Sequence, residues 1–569
     1  MKIPKKLKRE FIPENLNLSS WEEIKPYFEK LKNYEINSLE DLKKFLQNYS
    51  EIESILGEGV AWRYIRTMIN TSDKSLSEDY QKFINTIIPP SFKYYNEFNK
   101  KITNSEYLNF LNKEKYKIFV RSLKKKIEIY REENVPIFIK LEELAQKYSK
   151  IIGSMQIEHN SKNLTIQQAN KLLSYTDRNL RNEIYHKIYA RILKDKNKIN
   201  DLLDEMIKLR VKITENTEYE NYINYRFDEY ERFDYTPDDC KNLHDSIASV
   251  IIPFMDLVYE RKRRKLKLDK LKPWDQSVDE DGEEPLKPFE TVEELIEKST
   301  SILGKIHPLF ADVLKTMNKM GHLDLDSKEG KAPGGFNYHL RETGVPFIFM
   351  NAVGTHRNLE TLMHETGHAI HSVLTHDLEL LNFKDYPHEI AELASMSMEL
   401  MTMDYWNEIY NDDDFKRAKR EKLESSLLGL LWISEIDAFQ YWLYENPQHS
   451  AIERENKWNS LMSKFWTSVL DWSGEEDTKK IIWQKVPHIF RTPFYMIEYV
   501  LAQLGAIAIY KNFKKDKEKT ISQYIAALKL GNTKTIPEVY KTAGIKFDFS
   551  KEYIKELVDF LQEELKELE

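Results

Sequence analysis

The chain has 569 residues, 41% of them hydrophobic and 31% charged, with a formal net charge of −8. That length can bury a large core, and the charge balance offers no basic surface for nucleic acid. The single cysteine, Cys240, excludes an intrachain disulfide and points to a reducing, cytoplasmic setting.

Glycine (17) and proline (19) are too scarce for a turn-rich β or repeat architecture, so the fold class is mainly α. Amphipathic periodicity predicts helices over Ser38–Tyr49, Asn163–Lys194, Thr291–Leu303 and Tyr553–Leu568. The basic N-terminus has no apolar run behind it and is not read as a secretory signal. Residues 1–150 are helical patterns broken at Pro89-Pro90 and near Pro136, without a catalytic constellation. They are read as an N-terminal helical region, and 151–569 as the catalytic region. The basic run Arg261–Lys267 reads as a solvated helix end, and Asp279–Glu284 as an exposed acidic loop. Asp324 and Asp326 resemble the start of a calcium loop, but Gly330 falls one place late and the closing Glu is missing. Gly330-Lys-Ala-Pro-Gly-Gly335 marks a turn or a close backbone approach. Val345–Asn351 is the best strand candidate: either an exposed edge that pairs with an extended peptide, or a buried core strand. The apolar stretch Leu427–Ile433 is far short of the ~20 residues of a membrane span.

The most informative segment is His364-Glu365-Thr366-Gly367-His368. Two histidines four apart share one helix face and can grip one Zn²⁺. Glu365 leans over the same face, where a carboxylate can take the proton of the attacking water. Asn358 is read as the N-cap, and Leu359, Leu362, Met363, Thr366, Ile370 and Val373 as a core stripe. Gly367 costs about 1 kcal/mol relative to Ala in a helix interior, which a close approach of another backbone or of substrate would explain. Zinc needs a third protein ligand. The helix after Pro387 offers Glu389, Glu392 and Glu399, and spacing alone does not choose among them; His371, His376 and His388 lie nearby. Further on, His488 is placed in a loop before a helix on which Tyr495 and Tyr499 share a face. Their N–H and O–H groups suit an oxyanion, although aromatic core residues would show the same spacing.

Four blocks in order, Gly330–Phe336, Pro346–Asn351, Thr361–His368 and Pro487–Tyr495, make the chain resemble the thimet oligopeptidase and oligoendopeptidase F family of zinc peptidases, in its oligoendopeptidase F and Pz-peptidase branch. The resemblance implies two helical lobes flanking a deep substrate channel, with a small β-element beside a zincin-type metal-binding helix. It implies one zinc ion per chain, held by His364, His368 and Glu392, the last from the segment Ala391-Glu392-Leu-Ala-Ser395. It makes Glu365 the general base and His488, Tyr495 and Tyr499 transition-state donors; the further tyrosine of some relatives is replaced here by Leu501 and Ala502. Glu399 becomes a residue that orients a ligand histidine. The implied partners are short peptides, cut internally, with no nucleic acid and no membrane. The rival reading is a helical zinc carboxypeptidase, in which Arg491 would grip a terminal carboxylate.

Overall fold

A computed structural model describes residues 4–568 and is mainly helical. The elements that build and brace the site are, in chain order, α1 (Leu39–Ile69), β1 (Gln156–His159), β2 (Lys162–Thr165), α2 (Lys196–Thr217), α3 (Pro237–Lys265), β3 (Leu323–Asp326), β4 (Phe336–Tyr338), β5 (Phe347–Ala352), α4 (His356–Thr375), α5 (His388–Met403), α6 (Pro487–Arg491) and α7 (Met496–Lys515). The chain forms two compact units. One comprises the residues up to Glu132, Lys287–Lys419 and Leu501–Phe547; the other comprises Glu133–Leu286, Arg420–Val500 and the residues from Asp548 onward.

In the first unit an aromatic core gathers Phe28, Phe83 and Phe98 with Phe45 of α1. A second cluster joins α1 to a small sheet through Ala61, Ile65, Leu340, Phe347 and Phe349. The sheet order is β3-β5-β4, with β5 parallel to β3 and antiparallel to β4. The predicted strand therefore exists as β5, but it is central and buried rather than an edge. Its Phe-Ile-Phe-Met run is apolar on both faces, the pattern of a strand covered on both sides. The two edges are β3 and β4; β4, the one beside the helix that follows β5, is half-buried and stacks Phe336 on Phe349 with centroids 4.8 Å apart.

The sheet leads directly into α4. Its N-cap is Thr355, and Asn358 occupies the third helical position in a reciprocal capping box. The expected N-cap is thus displaced: Asn358 Oδ1 accepts the backbone N–H groups of Val353 (2.9 Å) and Thr355 (3.2 Å), reaching back over the helix start. The predicted core stripe of α4 is buried. α4 packs against α5 at Gly367, where a Cβ would lie 2.5 Å from Ser395 Cα and 2.8 Å from the Ala394 carbonyl. Only a residue without a side chain lets the two backbones approach so closely.

In the second unit, β1 and β2 form a hairpin whose turn residues Asn160 and Ser161 both have positive φ, the geometry of a two-residue turn. This corrects the helix expected from Asn163: that segment begins as strand, and helix runs over Ile166–Leu172 and Arg178–Leu193. The run Arg261–Lys267 ends α3, with Arg261 paired to Glu280 and Glu424 and Lys265 to Asp281. Cys240 is buried in α3. Among the described residues, no helix is long and apolar enough to cross a membrane.

Candidate metal centre

The Gly367 contact puts the two helices close enough for their side chains to converge. His364 Nε2 lies 3.4 Å and His368 Nε2 3.7 Å from Glu392 Oε2. The two imidazoles stand nearly perpendicular, with centroids 4.8 Å apart. Among the described residues, these three form the one group of His, Cys, Asp and Glu side chains whose ligand atoms sit close enough to share a metal ion. Bonds of about 2.0–2.1 Å to a tetrahedral zinc would separate ligand atoms by about 3.3–3.4 Å, close to the two His–Glu392 separations, and all three ligand atoms lie within 4.8 Å of one another.

The surrounding atoms fix which nitrogen faces the metal position. His364 Nδ1–H donates to Glu399 Oε1 at 2.6 Å, leaving Nε2 as the inward acceptor. Ser395 Oγ–H donates to Glu392 Oε2 at 3.2 Å, and Tyr524 O–H ties down the Ala394 carbonyl at 2.8 Å. Glu389 is buried elsewhere on α5 and stands outside the ligand group, as do His371, His376 and His388. His371 stacks face to face on Tyr386 instead, with centroids 3.4 Å apart.

The two histidines are driven in opposite directions. Burial alone would disfavour a charged His364, but hydrogen bonds and charges from Glu392 and Glu399 outweigh it and hold its pKa well above the usual range. Burial pushes His368, which lacks the Glu399 contact, down to about 4. Burial pushes the Glu365 carboxyl up to about 7; His364 opposes this, while Glu392 and Glu399 add to it.

Sheet and helix meet at Glu365. Asn337 of β4 donates from Nδ2 to the Glu365 backbone carbonyl at 3.0 Å. Sequence reasoning missed Asn337; its only signal was the Phe-Asn-Tyr triplet after the paired glycines.

The remaining predicted residues lie together in the second unit. His488 is in the short helix α6 rather than a loop, Tyr495 immediately precedes α7, and Tyr499 lies within it. Ring centroids are 5.9 Å apart for His488–Tyr495, 6.0 Å for His488–Tyr499 and 5.3 Å for Tyr495–Tyr499, and all three side chains are half-exposed. The backbone between α6 and α7 is braced from below. Arg210 of α2 donates to the carbonyls of Ile489 (3.3 Å) and Phe490. Phe494 adopts φ +65, unusual for a bulky side chain. Arg232 holds its carbonyl at 2.6 Å, and Gln440 Oε1 accepts its N–H at 2.9 Å. Such clamped strain, one residue before Tyr495, fits a backbone bent to present a side chain.

The model of peptidase family M3 matches residues 171–559, and that of the peptidase M3 N-terminal domain matches 13–130. An oligoendopeptidase F homolog of Borreliella burgdorferi is 22% identical over 540 residues, covering 89% of this chain and 87% of its own length. Oligopeptidase PepF of Bacillus subtilis is 22% identical over 342 residues, 58% of this chain and 49% of that protein. The solved structure of Pz peptidase A with an inhibitor superposes with a TM-score of 0.91 at 22% identity, covering 98% of this chain and 99% of that one. The structure of oligoendopeptidase-F from Enterococcus faecium gives 0.66 at 16% identity, with 96% of each chain covered. By the extent of the family match, this chain belongs to peptidase family M3 and is a metalloendopeptidase.

Proposed function

We propose that the enzyme is a zinc-dependent oligoendopeptidase that cuts internal bonds of short peptides. The observation that carries this reading is the convergence of His364, His368 and Glu392 on one point, with Glu365 on the same helix turn and the free edge of β4 beside it. A zinc ion held by those three residues would supply the Lewis acid that polarises the scissile carbonyl and activates a water. Glu399 keeps His364 in the tautomer that leaves Nε2 available. Glu365 takes the proton of the attacking water and delivers it to the leaving amine. The edge of β4 pairs with the extended peptide backbone, and Asn337 ties that strand to the helix turn carrying the base. His488, Tyr495 and Tyr499 donate to the developing oxyanion, a role supported by their clustering and, for His488 and Tyr495, by the resemblance of the Pro487–Tyr495 block. Residues 151–569 carry this chemistry and 1–150 form part of one lobe. The lone, buried Cys240 supports a cytoplasmic setting.

Quenched peptides blocked at both ends and graded in length test the reading. Cleavage should be internal, abolished by a chelator, restored by zinc, and should fall off as the peptides lengthen. Chelator-resistant cleavage, or cleavage only at free ends, would contradict it.

A further inference from the structure

Arg357 occupies the first turn of α4, seven residues before His364. At ~1.5 Å rise per residue that is ~10 Å along the axis, and Arg357, Thr361 and His364 share one face. A cation there opposes the helix dipole, so what its charge contributes to the fold comes from Glu360 and not from the helix. Its neighbours leave most of it unspent. Nη1 lies 3.3 Å from Glu360 Oε2, yet the Arg357 side chain is 74% exposed while that of Glu360 is 9% exposed. Glu360 foremost, then Glu399 and Glu365, hold the guanidinium above its ordinary pKa, which also sets it within the field of the metal centre.

The sheet edge leads toward it. Asn337 contacts the helix at Glu365, and a Cβ on Gly335 would lie 3.5 Å from Thr361 Cγ2. Followed from Tyr338 back to Gly335, the chain thus runs beside α4 from Glu365 to Thr361, in the direction of Arg357. An extended peptide on that edge advances ~3.3 Å per residue, which brings its second to fourth residue from the cleaved bond within reach of the guanidinium.

We propose that Arg357 is a specificity-determining residue that binds a peptide carboxylate, from an acidic side chain or the C-terminus, two to four residues from the cleaved bond. This rests on the peptidase reading, with β4 as the peptide-binding edge. The guanidinium fork matches a carboxylate in two parallel hydrogen bonds.

The test uses the zinc-loaded full chain and its R357Q, R357K and R357E variants. The substrates are peptides that exchange Asp for Asn at each position, each made with a free and an amidated C-terminus. Wild type should favour the carboxylate at one position about tenfold or more in kcat/KM, as expected for a charge-assisted pair. R357Q should erase that ratio, R357E invert it and R357K keep part of it; salt should shrink it. A change in the Asp/Asn ratio of amidated peptides identifies a side-chain carboxylate, and a change in the free/amidated ratio identifies the C-terminus. A purely structural role would slow all peptides alike and leave both ratios unmoved, which would overturn the proposal, as would a wild type with no carboxylate preference. A wild type that cleaves none of the peptides would instead overturn the peptidase reading, and the proposal with it.

Discussion

Glu399 shows how much of a metal site lies one step behind its ligands. Its carboxylate accepts a hydrogen bond from His364 Nδ1–H at 2.6 Å and so decides which ring nitrogen faces Glu392 and His368. Replacing it by alanine leaves that N–H unpaired and the ring free to turn. We expect Glu399→Ala to weaken zinc affinity about 10–100-fold while His364, His368 and Glu392 stay in place. Competition against a chromogenic chelator measures this, and an affinity equal to wild type would refute the positioning role. Spacing in the sequence left Glu389, Glu392 and Glu399 as alternatives because all three lie on one helix. What spacing lacks is the rotation of α5 against α4, which turns Glu392 toward both imidazoles and Glu399 toward His364 Nδ1, and leaves Glu389 outside the ligand group.

That rotation is set where two elements touch. Gly367 was legible in the sequence as a cost without a local benefit, and the α4–α5 crossing supplies the benefit. Alanine would regain about 1 kcal/mol of helix propensity. Its Cβ would meet backbone rather than a movable side chain, and such overpacking costs ~1–3 kcal/mol or more. Gly367→Ala should therefore lower the thermal midpoint and loosen zinc together; unchanged values of both would show that the helices tolerate separation. The β-element was legible in kind but not in arrangement. Val345–Asn351 reads as a strand from its apolar run, yet strand order depends on its partners, so the edges fall to β3 and β4. Likewise the helical periodicity from Asn163 hid a strand, because the Asn160-Ser161 turn imposes pairing on Lys162–Thr165.

Across the whole molecule, helical character was readable from local pattern and two lobes only through the family resemblance, whereas which stretches make up each compact unit was not readable. Each unit is assembled from three separate stretches of chain, an arrangement to which local periodicity is blind. The shifted titration of a buried carboxyl is a second property that appears only on folding. Burial pushes the Glu435 carboxyl up to about 8, opposed by the Trp466 indole N–H, which donates to it at 2.6 Å. Its folded form keeps a proton that the unfolded chain releases near pH ~4.3. The folded state thus binds more protons between those values, and stability falls as pH rises, by at most ~1.4 kcal/mol per unit, until the folded carboxyl itself ionises. Urea unfolding at several pH values should show a shallower decline for Glu435→Gln than for wild type; parallel slopes would remove Glu435 as the cause. The central claim concerns Glu365, assigned to proton transfer and not to metal binding. Zinc content and kcat of Glu365→Gln, measured on the same preparation, test it most directly. The account predicts wild-type zinc with turnover almost abolished; appreciable turnover, or loss of the zinc, would contradict it.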